Sequence, residues 1–164
     1  MDDCCRVGQL EAAAPGDCPE CSHPGRSLDR ITLRALLRPE ALARLDGTAF
    51  RFCPTAECRV AYFGHAEVFH REDVAVPVFQ KEPAGDRMVC HCFGIGECEI
   101  REEIEASGRS TASERVAALV QAGRCACELR NPQGTCCLGN LAVVAEALSA
   151  ARPKPPASAA LPTP

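Results

Sequence analysis

The sequence has few aromatic residues: no tryptophan, one tyrosine and six phenylalanines among 164 residues. A chain of this length forms one ordinary domain or two very small ones. With aromatics at only 4%, neither half is expected to bury a large hydrophobic core, and such small domains usually depend on disulfides or bound metals. The 13 cysteines could supply either kind of stabilisation.

The sequence also lacks segments that would direct a chain into or across a membrane. No apolar run approaches the ~20 residues of a transmembrane helix. The acidic residues 1–5 contain no apolar signal-peptide core. We therefore expect a cytoplasmic protein without membrane insertion. In that compartment an odd number of cysteines favours metal ligation over a disulfide framework.

Charge and motif content exclude further classes of function. The net charge is −4, and the 24% of charged residues have both signs interspersed. No run of Lys and Arg, alone or alternating with aromatic residues, indicates a nucleic-acid surface. No glycine-rich phosphate loop, catalytic His/Glu metal set or nucleophile motif is present, which favours an electron-transfer or metal-binding module over a stand-alone enzyme.

Composition divides the chain into segments. A polar stretch interrupted by Pro and Gly begins at Lys81 and is predicted to be a linker. The proline-rich C-terminus cannot sustain a helix or a strand. The predicted segments are a flexible leader (1–14), a β subdomain (15–80), the linker (81–87), a helical subdomain (88–150) and a disordered tail (151–164).

Two cysteine pairs in the β subdomain indicate a zinc site. Cys18 and Cys21 form a C-x2-C knuckle, whose tight turn aims both thiolates at one ion. Cys53 and Cys58 follow about thirty residues later, between flanks that mix aromatic or β-branched residues with polar ones, as in a half-buried hairpin. Such pairs around a small β region are typical of a Cys4 zinc ribbon or treble clef, in which the zinc is tetrahedral and structural.

The sequence leaves two alternatives to four-thiolate ligation open. The pairs could be unrelated buried cysteines. Alternatively, one of His23, His65 and His70 could replace a thiolate, although a histidine near a metal site is more often surface or outer-shell than ligand.

A short helix is predicted between the two pairs, over residues 39–45. Pro39 would occupy the first helical position, which proline favours, and Gly47 lies just past the end. Leu42 and Leu45, three residues apart, would face the small core.

The cysteines after the linker indicate a second metal site. In a C-x-C motif of extended backbone both thiolates point the same way, because alternate side chains share a face. The later cysteines surround a predicted turn at residues 131–134, at the beginning of a helix whose dipole would stabilise negative charge. Four thiolates in this arrangement are the ligand set of an iron–sulfur cluster. The cysteines in question are Cys90, Cys92, Cys125, Cys127, Cys136 and Cys137.

Three helices are predicted around this second site. The first has Ile100 and Ile104 on one face, and Gly108 is placed to end it. The second opens with a capping-box pattern at residues 111–114. The apolar positions of the second and third helices are Val116, Leu119, Val120, Leu141, Val144 and Leu148.

These motifs resemble known families. Cys90-x-Cys92, the helix pair and the later cysteines are similar to the [2Fe-2S] domain of bacterioferritin-associated ferredoxins. That family ends its pattern with C-x2-C, whereas nine residues separate Cys127 from Cys137 here. The run GRCACELRNPQGTCCLGN (123–140) instead resembles the N-terminal metallodomain of CopZ-type copper chaperones, which combines a zinc region containing FC-x4-C with a [2Fe-2S] half.

The CopZ resemblance covers roughly residues 16–150. It implies an α+β protein, with a zinc-ribbon or treble-clef-like β subdomain followed by an all-helical [2Fe-2S] subdomain. The predicted zinc ligands are Cys18, Cys21, Cys53 and Cys58. The predicted cluster ligands are Cys90 and Cys92 with Cys127 and Cys137, the last two favoured because Cys137 begins a helix and from the family's spacing. Cys125 and Cys136 are the alternates, and Cys98 is predicted to be a core or surface thiol.

The resemblance implies one of two functions. The first is one-electron transfer in soft-metal handling, specifically reduction of Cu(II) to Cu(I), with a redox partner or a metal-transport protein as partner. The second is a chaperone, buffer or sensor that binds Cu(I) through Cys4-Cys5 and the spare thiols without electron transfer. CopZ-type chaperones transfer copper with an M-x-C-x-x-C loop. Met1 and Met88 are the only methionines here and neither begins such a loop, which argues against a full chaperone function.

Overall fold

The computed structural model describes residues 16–152. The predicted leader (1–14), its Cys4-Cys5 pair and almost all of the predicted tail lie outside the described residues. The fold is a mixed α+β arrangement with two larger hydrophobic cores and a smaller cluster around Cys18, Cys53 and Cys58. We refer to residues 16–81 as the sheet part and to residues 88–152 as the helical part.

The sheet part is built on four short antiparallel strands joined in chain order. Aromatic and β-branched residues at these positions favour extended backbone. Strand β3 is buried at all four positions because both of its faces are covered, and its register with β4 shifts between Val60 and Tyr62. The strands are β1 (Arg26–Leu28), β2 (Phe50–Phe52), β3 (Val60–Phe63) and β4 (Val68–His70).

The few aromatic residues are concentrated in the core of this sheet. Phe50 lies 5.6 Å from Phe69 and Phe52 lies 6.3 Å from Tyr62, measured between ring centroids, and both pairs are tilted. All four side chains are fully buried. Aromatic pairs at such distances stabilise beyond the area they bury, which partly offsets the low aromatic content.

Two helices connect β1 to β2, and the sequence predicted only one of them. Helix α1 (Arg30–Leu36), which was not predicted, begins at Asp29, whose carboxylate accepts a hydrogen bond from the Ile31 amide at 2.9 Å. Helix α2 (Pro39–Leu42) begins at the predicted proline but ends three residues early.

The predicted core face of α2 was wrong at Leu42, which is 37% exposed. Ala41 is buried in its place, while Leu45 packs against the core from partly buried backbone beyond the helix. Because the helix ends at Leu42, the three-residue helical spacing that predicted a shared face for Leu42 and Leu45 does not apply.

The helical part is not all-helical as predicted. It begins with a two-stranded antiparallel ribbon, β5 (Met88–Cys90) and β6 (Ile95–Gly96). The buried side chains of Val89, Cys90 and Ile95 hold this backbone extended, and Gly94 allows the reversal with a φ of +70°. The helices are α3 (Glu97–Ser107), α4 (Ala112–Gln121), α5 (Cys127–Arg130) and α6 (Leu138–Ala150).

The second core lies between α3, α4, α6 and the ribbon. Ile100, Ile104, Val116, Leu141 and Val144 are all buried there, at the positions that helical periodicity predicted. None of the helices within residues 16–152 is long and apolar enough to cross a membrane.

The predicted capping box at the start of α4 was wrong. Thr111 makes no side-chain cap to the helix. Instead Glu103 of α3 accepts hydrogen bonds from the Thr111 amide at 2.8 Å and the Ser110 hydroxyl at 2.7 Å, and pairs with Arg115. Partial burial opposes ionisation, but these donors lower the pKa of Glu103 to about 2. A carboxylate from the neighbouring helix thus replaces the local cap.

Replacing Glu103 with Gln should lower the free energy of unfolding at pH 7 by about 1–2 kcal/mol, because charged hydrogen bonds are lost. The folded-state pKa lies below the ordinary 4.5, so the stabilisation is complete above about pH 5 and disappears as the pH falls towards 2. Urea unfolding at several pH values measures the free energy of unfolding. Glu105→Gln, at an exposed position of the same helix, is the control. Acid also releases metal from thiolates. The quantity to compare across pH is therefore the difference in free energy of unfolding between wild type and Glu103→Gln. If this difference did not change with pH, the stabilising role of the ionised Glu103 carboxylate would be contradicted.

Candidate metal centres

The first candidate centre begins at the Cys18–Cys21 knuckle. Its turn is closed by backbone hydrogen bonds, from the Ser22 amide to the Cys18 carbonyl at 2.8 Å and from the Cys18 amide to the His23 carbonyl at 2.9 Å. Ser22 adopts a left-handed φ of 57° to complete it. The turn holds both sulfurs on the side that faces the β2–β3 connection.

Four sulfurs meet at this centre. Cys18 lies 3.8 Å from Cys58 and Cys21 lies 3.6 Å from Cys53, measured between Sγ atoms, and all four sulfurs are within 4.8 Å of one another. Tetrahedral zinc with a Zn–S distance of ~2.3 Å requires sulfurs about 3.8 Å apart. The described geometry fits a Cys4 zinc ion.

The thiols of this centre differ in acidity. Burial raises the pKa of Cys58 to about 12 and also raises that of Cys18. Burial opposes ionisation of Cys21 too, but hydrogen bonds from the Thr55 hydroxyl and the His23 amide and contacts with the other thiols lower its pKa to about 6. Zinc binds thiolates, so it would displace the protons of the weaker acids.

The histidines do not join the sulfurs. His23 is exposed, with Nδ1 3.1 Å from the Cys21 carbonyl oxygen. His70 pairs through Nε2 with Glu20 at 2.8 Å, and His65 is exposed. Within residues 16–152 the group that can hold a metal contains cysteines alone.

A buried lysine beside this centre escaped the sequence analysis. Lys81 was assigned to a polar linker, yet it ends a 3-10 turn (Phe79–Lys81) and is only 5% exposed. Its ammonium donates to the Thr55 carbonyl at 2.5 Å, and the Thr55 hydroxyl contacts the Cys21 sulfur at 3.4 Å. A buried cation requires negative charge nearby, and four thiolates around one Zn²⁺ carry a net charge of −2. Only proximity in the fold could have revealed this residue.

The second candidate centre has two separate sulfur pairs. The Cys92 and Cys127 sulfurs are 3.7 Å apart. The Cys90 and Cys137 thiols interact closely enough to shift each other's pKa, downward for Cys90 and upward for Cys137. Unlike the first centre, these sulfurs do not form a compact group of three or more within the described residues. Strand β5 supplies Cys90 and the turn after it supplies Cys92, so the predicted extended backbone of the C-x-C motif was wrong at Cys92. The start of α5 and the residue before α6 supply Cys127 and Cys137.

The two pairs differ in environment. The hydrogen bond from Cys137, followed by the amides of Phe93 and Cys92, lowers the pKa of Cys90 to about 6 despite burial. Sharing that proton raises the pKa of Cys137, and burial raises that of Cys127. Cys90 is fully buried, whereas Cys92 is partly exposed.

The remaining described cysteines are more exposed than the buried members of these pairs. Cys125 is partly exposed and Cys136 is exposed, and neither makes a sulfur–sulfur contact within residues 16–152. Cys98 is exposed on α3, where its thiol contacts Glu102 of the same helix at 3.5 Å.

Comparison with known proteins identifies the fold. Residues 15–75 match zf_CopZ, a family described as a zinc binding domain. The X-ray structure of the Archaeoglobus fulgidus CopZ N-terminal domain matches with 30% identity and a TM-score of 0.66, over 78% of this chain and 96% of that one. This chain belongs to the CopZ N-terminal domain family. No curated protein matches the sequence.

Membership confirms part of what the sequence predicted. The chain has a CopZ-like α+β fold and contains a zinc-binding domain with a Cys4 site. It is a metal-binding protein of the CopZ N-terminal type.

Replacing Lys81 with Met should weaken zinc retention by about tenfold, the usual lower bound for loss of a group supporting metal ligands. The methionine preserves most of the apolar stem and removes the buried ammonium. Competition with a chromogenic zinc chelator measures the change. Arg34→Met, which removes an exposed positive charge from α1, is the control. Equal zinc release from both variants would show that Lys81 does not stabilise the thiolate charge.

Proposed function

We propose that this CopZ-type protein is a redox module of soft-metal handling, with a structural zinc in the sheet part and a [2Fe-2S] cluster in the helical part. The zinc would be held by Cys18, Cys21, Cys53 and Cys58. The cluster would be held by Cys90, Cys92, Cys127 and Cys137. The observation that supports the cluster most is the division of the second set of sulfurs into two pairs.

The pairing favours two metal ions over one. A single tetrahedral ion needs four sulfurs at mutual distances near 3.8 Å, as in the first centre. In a [2Fe-2S] cluster each iron takes only two cysteines and the irons share bridging sulfide, so two pairs should be close internally and apart from each other. The 3.7 Å between Cys92 and Cys127 equals one such edge.

The donor set also fits the charge of a cluster. When bound, a [2Fe-2S] cluster supplies reversible one-electron transfer. The Phe93 and Cys92 amides that point at the Cys90 sulfur would stabilise thiolate charge in both oxidation states. Cys127 and Cys137 are buried, whereas Cys125 is partly exposed and Cys136 is exposed, which favours Cys127 and Cys137 as the other ligands.

Solvent reaches the centre on one side. Cys90 and Cys137 are buried, while Cys92 is partly exposed, and the guanidinium of exposed Arg130 donates to the Cys92 carbonyl at 3.4 Å. Electrons would enter and leave at this side. An external one-electron donor protein would supply the electron, and Cu(II) would accept it and become Cu(I).

A second candidate function is Cu(I) binding without electron transfer. The copper-chaperone likeness favours it, as do the accessible thiols of Cys125 and Cys136 beside the second centre. The Cys4-Cys5 pair, which the sequence also offered for this role, lies outside the described residues.

Anaerobically purified protein should contain about two iron and two sulfide per chain, the content of one [2Fe-2S] cluster. Cys92→Ser should lose most of this iron because one sulfur of the Cys92–Cys127 pair is gone. Cys98→Ser, the same change at an exposed thiol in the same part, should retain it. Iron and sulfide assays and the electron-paramagnetic-resonance signal after dithionite reduction measure both. A colourless wild-type protein containing only zinc would refute the cluster.

Electron transfer and copper buffering predict different products from Cu(II). Protein reduced with one equivalent of dithionite and freed of excess reductant should convert about one Cu(II) to Cu(I) per cluster, since the cluster stores one electron. A Cu(I)-specific chelator measures the product, and the cluster's resonance signal should vanish together with that of Cu(II). A buffer would instead bind added Cu(I) with the cluster signal unchanged. The oxidised protein is the control, and equal Cu(I) yield from it would exclude the cluster as electron source.

A further inference from the structure

The segment between Cys127 and Cys137, two of the proposed cluster ligands, packs on the sheet part. We call residues 128–136 the ligand loop, because it connects Cys127 to Cys137. Asn131, Pro132 and Gln133 at its centre are buried. A loop of a small helical unit would ordinarily lie in solvent, so this burial needs a structural reason.

The first contact is a hydrogen bond from the core of the sheet part. The Tyr62 hydroxyl donates to the Pro132 carbonyl at 2.9 Å, across 70 positions of sequence. Tyr62 is fully buried in β3 and its ring packs on Phe52. The sheet therefore fixes the position of the Tyr62 hydroxyl, and the Pro132 carbonyl must lie within hydrogen-bond distance of it.

The second contact is a close approach of backbone at Gly134. Its φ is +68°, and a Cβ there would lie 2.5 Å from Leu28 Cδ1 and 3.2 Å from Thr32 Oγ1. Leu28 is in β1 and Thr32 in α1, both in the sheet part. Only a residue without a side chain allows the loop to sit this deeply against them.

Side-chain amides connect the ligand loop to Gln80 of the sheet part and to the backbone just before Cys137. Gln80 donates to the Gln133 side-chain oxygen at 2.5 Å, and the Gln133 amide donates to the Cys136 carbonyl at 3.0 Å. The Asn131 amide donates to the Thr135 carbonyl at 2.7 Å. Through these bonds the position of the loop determines the backbone just before Cys137.

We propose that the sheet part positions the ligands of the second centre, with Tyr62 and Gly134 as positioning residues that set the ligand loop. The inference rests on the proposed function, since it assigns a role toward the proposed cluster. Zinc-dependent folding of the sheet part would then be a condition for the spacing of Cys127 and Cys137. Neither positioning residue touches a metal.

The test compares two glycines of positive φ in the full-length protein with its metals. Gly134→Ala introduces a methyl group against the sheet part, whereas Gly123→Ala at φ +67° meets nothing within 4 Å. Both substitutions carry the same kind of backbone strain. We expect Gly134→Ala to lose iron to a chelator about tenfold faster than wild type, because local opening governs access, and Gly123→Ala to resemble wild type.

Two further variants separate positioning from general destabilisation. Leu28→Ala combined with Gly134→Ala removes the methyl that the new Cβ meets and should restore much of the iron retention. Tyr62→Phe removes only the hydroxyl; it should keep full zinc content while changing the resonance signal and accelerating iron loss. Iron loss and resonance signals equal to wild type in both Gly134→Ala and Tyr62→Phe would overturn the inference, as would equal acceleration by Gly134→Ala and Gly123→Ala.

A measurement without iron distinguishes failure of this inference from failure of the proposed function. In protein reconstituted with zinc alone, mass spectrometry can follow alkylation of Cys127 and Cys137. Both thiols are buried at the ends of the ligand loop. Alkylation should be about tenfold faster in Gly134→Ala than in wild type or Gly123→Ala, again through local opening. Unchanged alkylation overturns the positioning role. A wild-type protein that binds no iron but shows the alkylation pattern refutes the cluster and leaves the docking of the loop supported.

Discussion

The convergence of four sulfurs from two distant turns is the constraint on which the sheet part depends. The contact between Cys18 and Cys58 joins residues 40 positions apart, and the two strands between them are each only three residues long. A single core in so short a segment stabilises weakly. Structural zinc contributes on the order of ten kcal/mol of apparent folding free energy in small domains, so the metal, more than the aromatic cluster, decides whether this sheet exists.

The two parts of the molecule use cysteine in different ways. In the sheet part the sulfurs are gathered into one compact group, which leaves no open coordination position for chemistry. In the helical part they are divided into pairs, one buried and one nearer the surface. The first arrangement serves stability. The second leaves an edge through which an electron or a soft metal ion could pass.

The sequence was most informative where chemistry depends on short-range spacing. The C-x2-C and C-x4-C pairs and the apolar positions of α3 and α6 each follow from local geometry, and the sulfur distances of the first centre agree with that reasoning. It was least informative where a residue acts through a distant partner. Lys81 looks like part of a polar linker, and Glu103 caps a helix other than its own. The turn at Asn131 to Gly134 was predictable from its composition, but nothing local indicates that it packs on β1 and α1.

Strand β3 links the two centres directly. Val60 packs with the zinc-site cysteines, and Tyr62, two residues and therefore only ~7 Å further along the strand, reaches the ligand loop. Under the proposed function the zinc and the cluster would depend on this one strand, so the two metals would not mature independently. A chain emerging from the ribosome would have to capture zinc first, and an iron–sulfur assembly system would meet a receptive site only on molecules already so folded. A chain that fails to bind zinc would therefore fail to form the proposed cluster. Scarcity of zinc in the cell would then lower the iron content of this protein.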